Sequence, residues 1–139
     1  MKTIRLALMT LVAVSLSACN AQASQEQKAV DADNDEVQLY YFHFTKRCAT
    51  CNAVETETQL VLEMFYGDQV KDGTIAFTSL NLEEDDGKEL AKALNVSGQT
   101  LLLVKGDDRV NLTNDGFMNA RTKADKFHEI LKRNIDNLL

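Results

Sequence analysis

Two cysteines three residues apart, in the run Cys48-Ala49-Thr50-Cys51, follow closely on the aromatic and β-branched stretch Val37-Gln38-Leu39-Tyr40-Tyr41-Phe42-His43-Phe44. Such a stretch is too apolar for a surface strand and short enough for a buried one, so it predicts a central strand. Beyond Thr45-Lys46-Arg47, apolar residues recur at spacings of three and four: Cys51, Val54, Thr58, Val61, Leu62 and Phe65. That spacing predicts one face of a long helix over residues 48–66, closed by Gly67. The cysteine pair therefore falls at a strand-to-helix junction, where positions i and i+3 of the first turn come close enough for a disulfide.

A thiol at a helix N-terminus faces unpaired backbone N–H groups and the positive end of the helix dipole, and both favour the thiolate. Cys48 is the expected attacking thiol and Cys51, one turn further in, the resolving thiol. Lys46 and Arg47 add positive charge at the same end, either as thiolate-stabilising residues or as ordinary solubilising charges. In an exchange reaction the Cys48 thiolate attacks a substrate disulfide, and Cys51 then displaces the resulting mixed disulfide. Reduced substrate leaves and the C-A-T-C pair is left oxidised; the reverse direction uses the same atoms. The spacing also matches half of a zinc site, but the chain has no second ligand pair and only two histidines, His43 and His128. His43, five residues before Cys48, is a candidate proton shuttle or a partly buried structural histidine. His128, among charged neighbours, reads as a surface residue.

Residues 74–82 alternate as a strand does, and the acidic residues 83–87 read as a solvated loop. A short helix over 88–94 follows. Strands over 100–105 and 109–112 form a hairpin about Gly106-Asp107-Asp108, and an amphipathic helix runs from Thr122 to the end. The order strand, helix, strand, helix, strand, strand, helix predicts a three-layer α/β domain over residues 37–139. Its mixed central sheet has about four strands flanked by helices. With 139 residues, 45% of them hydrophobic and 26% charged, one core is expected.

The N-terminal residues differ in character. Lys2 and Arg5 precede an apolar run over 6–16, the outline of a secretory signal peptide over 1–19 and too short to span a bilayer as a mature helix. Leu16-Ser17-Ala18-Cys19 resembles the lipobox of bacterial lipoproteins, which would make Cys19 a lipidated N-terminus. Ala21-Gln22-Ala23 suits ordinary signal peptidase, which would discard Cys19. Either reading expects an exported protein, periplasmic or anchored in the cell envelope, that meets a membrane only through a lipid anchor. Residues 20–36, rich in Ala, Gln, Ser, Asp and Glu, read as a flexible tether. Loss of the two basic residues of the leader takes the net charge from −6 to −8, which argues against nucleic-acid binding.

In motif, in element order and in the stretch Val96-Ser97-Gly98-Gln99-Thr100-Leu101-Leu102-Leu103-Val104, residues 37–139 resemble the thioredoxin-like superfamily. The stretch is similar to that family's V-x-G-x-P-T-L-L-L-F segment, whose cis-proline faces the C-x-x-C pair and helps to position substrate. Asn81-Leu82 resembles the N-I/L-D pattern that ends the preceding strand. The resemblance implies a thiol-disulfide oxidoreductase without a cofactor, acting on protein thiols and disulfides with an unidentified redox partner and with a substrate groove at Gln99 and Thr100. The chain also departs from the pattern. It has no proline, so Thr100 stands at the cis-proline position, or Gln99 does after a one-residue deletion, and a trans bond is expected there. Arg47 stands where the family usually has tryptophan, and Phe42 at the place of its buried acid. These departures favour a second reading, a binding or adaptor module with a structural disulfide. A third reading places copper or zinc on Cys48 and Cys51 with His43 or a partner's ligand.

Overall fold

Strand β1 (Val37–His43) sends alternate side chains into two separate cores, Val37, Leu39 and Tyr41 to one and Tyr40 and Phe42 to the other. That is why it reads as a nearly continuous apolar run instead of an alternating one. Both of its edges are also paired. β2 (Ile75–Asn81) runs parallel to it and β3 (Thr100–Lys105) antiparallel, with β4 (Asp108–Asn111) outside β3, giving the order β2-β1-β3-β4. β3 divides its side chains in the same way, Leu101 and Leu103 against Leu102 and Val104. The computed structural model describes residues 35–139. The signal segment, the lipobox with Cys19 and most of the 20–36 tether lie outside the described residues.

The helices cover the two faces of this sheet. α1 (Ala49–Phe65) and α5 (Ala124–Leu138) pack Val54, Val61, Leu62, Phe127, Leu131 and Ile135 on the first face. α3 (Asp85–Ala93), with Ala91 and the following Leu94, covers the second. The expected three-layer α/β architecture and its element order are present, with two further short helices, α2 (Gly67–Asp72) and α4 (Thr113–Asn119), inserted between the expected elements.

Four local expectations need correction. Gly67 does not close α1; Tyr66 does, and the chain turns directly into α2, whose own left-handed cap is Gly73 at φ +86°. The Tyr66 hydroxyl lies 2.5 Å from Asp136 Oδ1 and 3.2 Å from the Lys132 carbonyl, so the junction is set by docking on α5 and not by a glycine. The acidic run is only partly a loop, because Asp85 and Asp86 form the first turn of α3, where negative charge suits the helix dipole. β4 begins at Asp108, one residue before the expected strand, and Leu112 is buried beyond its end. Helix α4 is too short for its apolar spacing to be read in advance. It forms because Leu112, Phe117 and Ala120 pack on the first core and Gly116 lets the backbone approach α1, its missing Cβ standing 3.2 Å from both Val54 methyls.

Gly87 has a more stringent requirement. A Cβ there would lie 2.0 Å from the Asn81 carbonyl oxygen, so α3 can rest on the C-terminal end of β2 only through glycine. Gly87→Ala is expected to lower the unfolding free energy by about 2 to 3 kcal/mol, since backbone must shift to admit the methyl. Gly67→Ala, with nothing within 4 Å, should be neutral or slightly stabilising. Urea denaturation midpoints of the two variants check the contrast.

Candidate active site

Because β1 and β2 are parallel and β3 opposes them, the ends of β1 and β2 and the start of β3 meet at one edge of the domain. His43 pairs with Asn81, and Phe42 with Thr100. From that edge the segment 44–47 carries the chain into α1. Its backbone is held by a cross-linked set of polar contacts: Thr45 N–H donates to Glu83 Oε2 (2.8 Å), Asn81 Nδ2 donates to Thr45 Oγ1 (3.0 Å), and Leu82 N–H donates to the His43 carbonyl (2.8 Å). The bond from Thr45 holds the exposed Glu83 carboxyl below the usual carboxylate range.

Cys48 is the N-cap of α1, with φ −83° and ψ 166°, and its Sγ accepts the Cys51 N–H at 3.1 Å. A sulfur thus occupies the place where a hydroxyl or carboxylate oxygen usually caps a helix. No acidic residue lies in the first turn to offset the positive end of the dipole. Cys48 and Cys51 are joined as a disulfide with a Cα–Cα distance of 5.1 Å. Their surroundings differ: Cys48 is exposed, whereas Cys51 is 3% exposed. The Tyr41 hydroxyl donates to the Cys51 carbonyl at 2.9 Å and ties the first turn of α1 to the central strand.

Gln99 reaches the pair from the other side. Its Nε2 lies 3.5 Å and its Oε1 3.7 Å from Cys51 Sγ. Thr100 is buried at the start of β3, with its Oγ1 donating to the Gly98 carbonyl at 3.0 Å. Every peptide bond among the described residues is trans, including the one before Thr100. Phe42 is fully buried on the α3 face, among apolar side chains.

Arg47 turns inward. Its Nη2 forms an ion pair with Glu55 Oε2, and its guanidinium lies 5.5 Å over the Tyr41 ring. Lys46 stays exposed. The His43 Nδ1 is 3.0 Å from the Phe44 carbonyl, and its ring is 5.9 Å from that of Tyr41. Neither contact is with a cysteine sulfur. His128 is not a plain surface residue: half-buried, it meets Glu57 Oε2 at 2.7 Å and joins α5 to α1. Glu55 is the residue that sequence reasoning passed over. Its signal was its place four residues after Cys51, on the same face of the helix. Burial would raise its carboxyl, but Ser79 and Arg47 together hold it below the usual range. The Ser79 hydroxyl itself is buried at a geometry short of a full hydrogen bond.

Among solved structures, the chain is similar to thioredoxin f from spinach chloroplast, in its long form, at 21% identity and a TM-score of 0.42. The likeness covers 66% of this chain and 73% of that one. A malarial protein is similar at 24% identity and a TM-score of 0.40, over 53% of this chain and 74% of that one. No family model and no curated protein matches the chain. The fold rests on its own element order and sheet topology. No group of three or more His, Cys, Asp or Glu side chains is arranged to hold a metal ion among the described residues.

Two outcomes follow from this geometry. In reduced protein, iodoacetamide should modify Cys48 faster than Cys51 by on the order of tenfold or more, because one thiol is exposed at the dipole end and the other is enclosed; peptide mass spectrometry after timed quenching reads the ratio. Glu55, with its pKa lowered by folding, contributes stability above the ordinary carboxylate range and loses it as pH falls through that range and below. Glu55→Gln should therefore cost about 1 kcal/mol at neutral pH and progressively less in acid. Denaturation midpoints of parent and variant across this pH interval test the sign.

Proposed function

We propose that this chain is a thiol-disulfide oxidoreductase of the cell envelope, acting on protein disulfides through Cys48 and Cys51. One observation carries the reading: the two cysteines share a disulfide at the first turn of α1, with Cys48 exposed at the cap and Cys51 enclosed behind it. An exchange catalyst needs that asymmetry. The outer sulfur must be open to a partner's disulfide and stable as a thiolate, while the inner one must be near enough to resolve the mixed disulfide and shielded from attack. The Cys51 N–H and the uncompensated helix dipole support the thiolate of Cys48. Gln99, against Cys51 Sγ, and the buried Thr100 line the approach from β3, where a groove for an extended protein segment would lie. The reaction direction we favour is reduction or isomerisation of partner disulfides, with electrons supplied by a separate redox partner. Export and anchoring through Cys19 belong to the same proposal, and lipid attached to the mature N-terminus, lost in Cys19→Ser, is the expected mass-spectrometric sign.

The deciding experiment uses the full chain carrying Cys19→Ser, so that only one pair titrates. Equilibration with glutathione buffers should give a reduction potential between about −120 and −270 mV, the span of known exchange catalysts. Cys51→Ser should in addition trap mixed disulfides with protein substrates. A pair that stays closed below about −300 mV would instead be structural, and the adaptor reading would replace this one. The burial of an aromatic ring, Phe42, where the family places an acid is what speaks for that alternative.

A further inference from the structure

Beneath the cysteines sits a charged pair that the exchange steps above do not use. Arg47 is joined directly to Cys48 by a peptide bond, and Glu55 lies one helical turn beyond Cys51 on the same face. Their side chains, only 21% and 18% exposed, meet as an ion pair that spans the loop and the first two turns of α1. The surroundings limit where either charge can go. The guanidinium rests over Tyr41, whose hydroxyl donates to the Cys51 carbonyl and can itself accept from Arg47, and Arg47 Nε is buried with no hydrogen-bond partner among the described residues. On the carboxylate side are the buried Ser79 hydroxyl and, on the same face of β1, the His43 ring. Lys46, the other cation of the loop, points to solvent.

A guanidinium beside Cys48 favours its thiolate, a carboxylate near it opposes the thiolate, and joined as a pair they nearly cancel. Resting on the oxidoreductase reading, we propose that Glu55 is a positioning residue that sets the redox balance of the Cys48/Cys51 pair, by holding Arg47 in an ion pair and so withholding its positive charge from Cys48. When a partner dithiol reduces the disulfide, the Cys48–Cys51 S–S bond breaks and the partner's two sulfurs bond to each other. Two electrons pass to the pair, and the partner gives up two thiol protons. One proton ends on Cys51 Sγ, and the other on Cys48 Sγ or in solvent. More free positive charge at Arg47 sends that second proton to solvent and favours the reduced form. An unpaired Glu55 keeps it on Cys48 and favours the disulfide.

The test uses the full chain carrying Cys19→Ser, with the Cys48 thiolate titrated by its ultraviolet absorbance and the pair equilibrated against glutathione. Glu55→Gln should lower the Cys48 pKa by about half a unit and move the glutathione equilibrium about threefold toward the dithiol. Arg47→Gln should move both readings the other way, and the double variant should return close to the parent. A packing role alone would not give shifts of opposite sign, so equal shifts, or none, overturn the proposal. Should either single variant fail to fold, the exchange Arg47→Glu with Glu55→Arg keeps a pair but places the carboxylate next to Cys48. Its Cys48 pKa must then rise, and an unchanged value overturns the proposal. If the parent disulfide resists glutathione altogether, the oxidoreductase reading has failed, and the titration after forced phosphine reduction still decides whether Glu55 governs the charge at Cys48.

Discussion

Strand β1 has neither a free edge nor a free face. β2 and β3 take its edges, the α1/α5 layer and the α3 layer take its faces, and the chain can leave only at its end, beyond His43. This confinement places the first turn of α1. Tyr41 sits within the strand, so its hydroxyl bond to the Cys51 carbonyl refers the position of the helix directly to the central strand of the sheet. Burial on this scale supplies the apolar free energy that holds the layers together, at roughly 25 cal/mol per Å² of apolar surface. The polar contacts at the end of the strand then choose one geometry for the junction.

Those contacts form two sets with different work. Thr45, Asn81 and Glu83 lie at the exposed rim and fasten the loop before Cys48 to the loop after β2. Being exposed, they define a backbone path more than they add stability. Arg47 and Glu55 pair across the loop and the first turns of α1 and are largely shielded, so water screens them less than the rim. Gly87 serves the first set indirectly: by letting α3 close on the Asn81 carbonyl, it brings the whole β2 end to the place where Asn81 can reach Thr45.

Much of the candidate site was legible in the chain because it is local. A buried strand, three connecting residues and a period of three and four are enough to put Cys48 at a helix cap and Cys51 inside the first turn. The same local reading misjudged what depends on distant partners. Gly67 looked like a helix stop, yet Tyr66 is set by Asp136, seventy residues away. His128 looked like a surface residue until α5 laid it against Glu57. Residues 113–119 carry too few apolar positions to announce a helix, and they become one only through packing on Val54 and Phe127.

What the sequence by itself determined is the order of the four strands and three longer helices, and the position of the cysteine pair at a strand-to-helix junction. Each of these follows from side-chain period over fewer than twenty residues. Tertiary structure alone decided which charges pair at the start of α1. Arg47 could be read as a thiolate-stabilising cation from its place beside Cys48, but its pairing with Glu55 depends on how the loop enters α1 against the sheet. Gln99 meets Cys51 Sγ only because β3 runs antiparallel beside β1. The physical reason is range: hydrophobic period acts along the chain and is written in it, whereas an ion pair or a sulfur contact acts through space between residues that folding brings together.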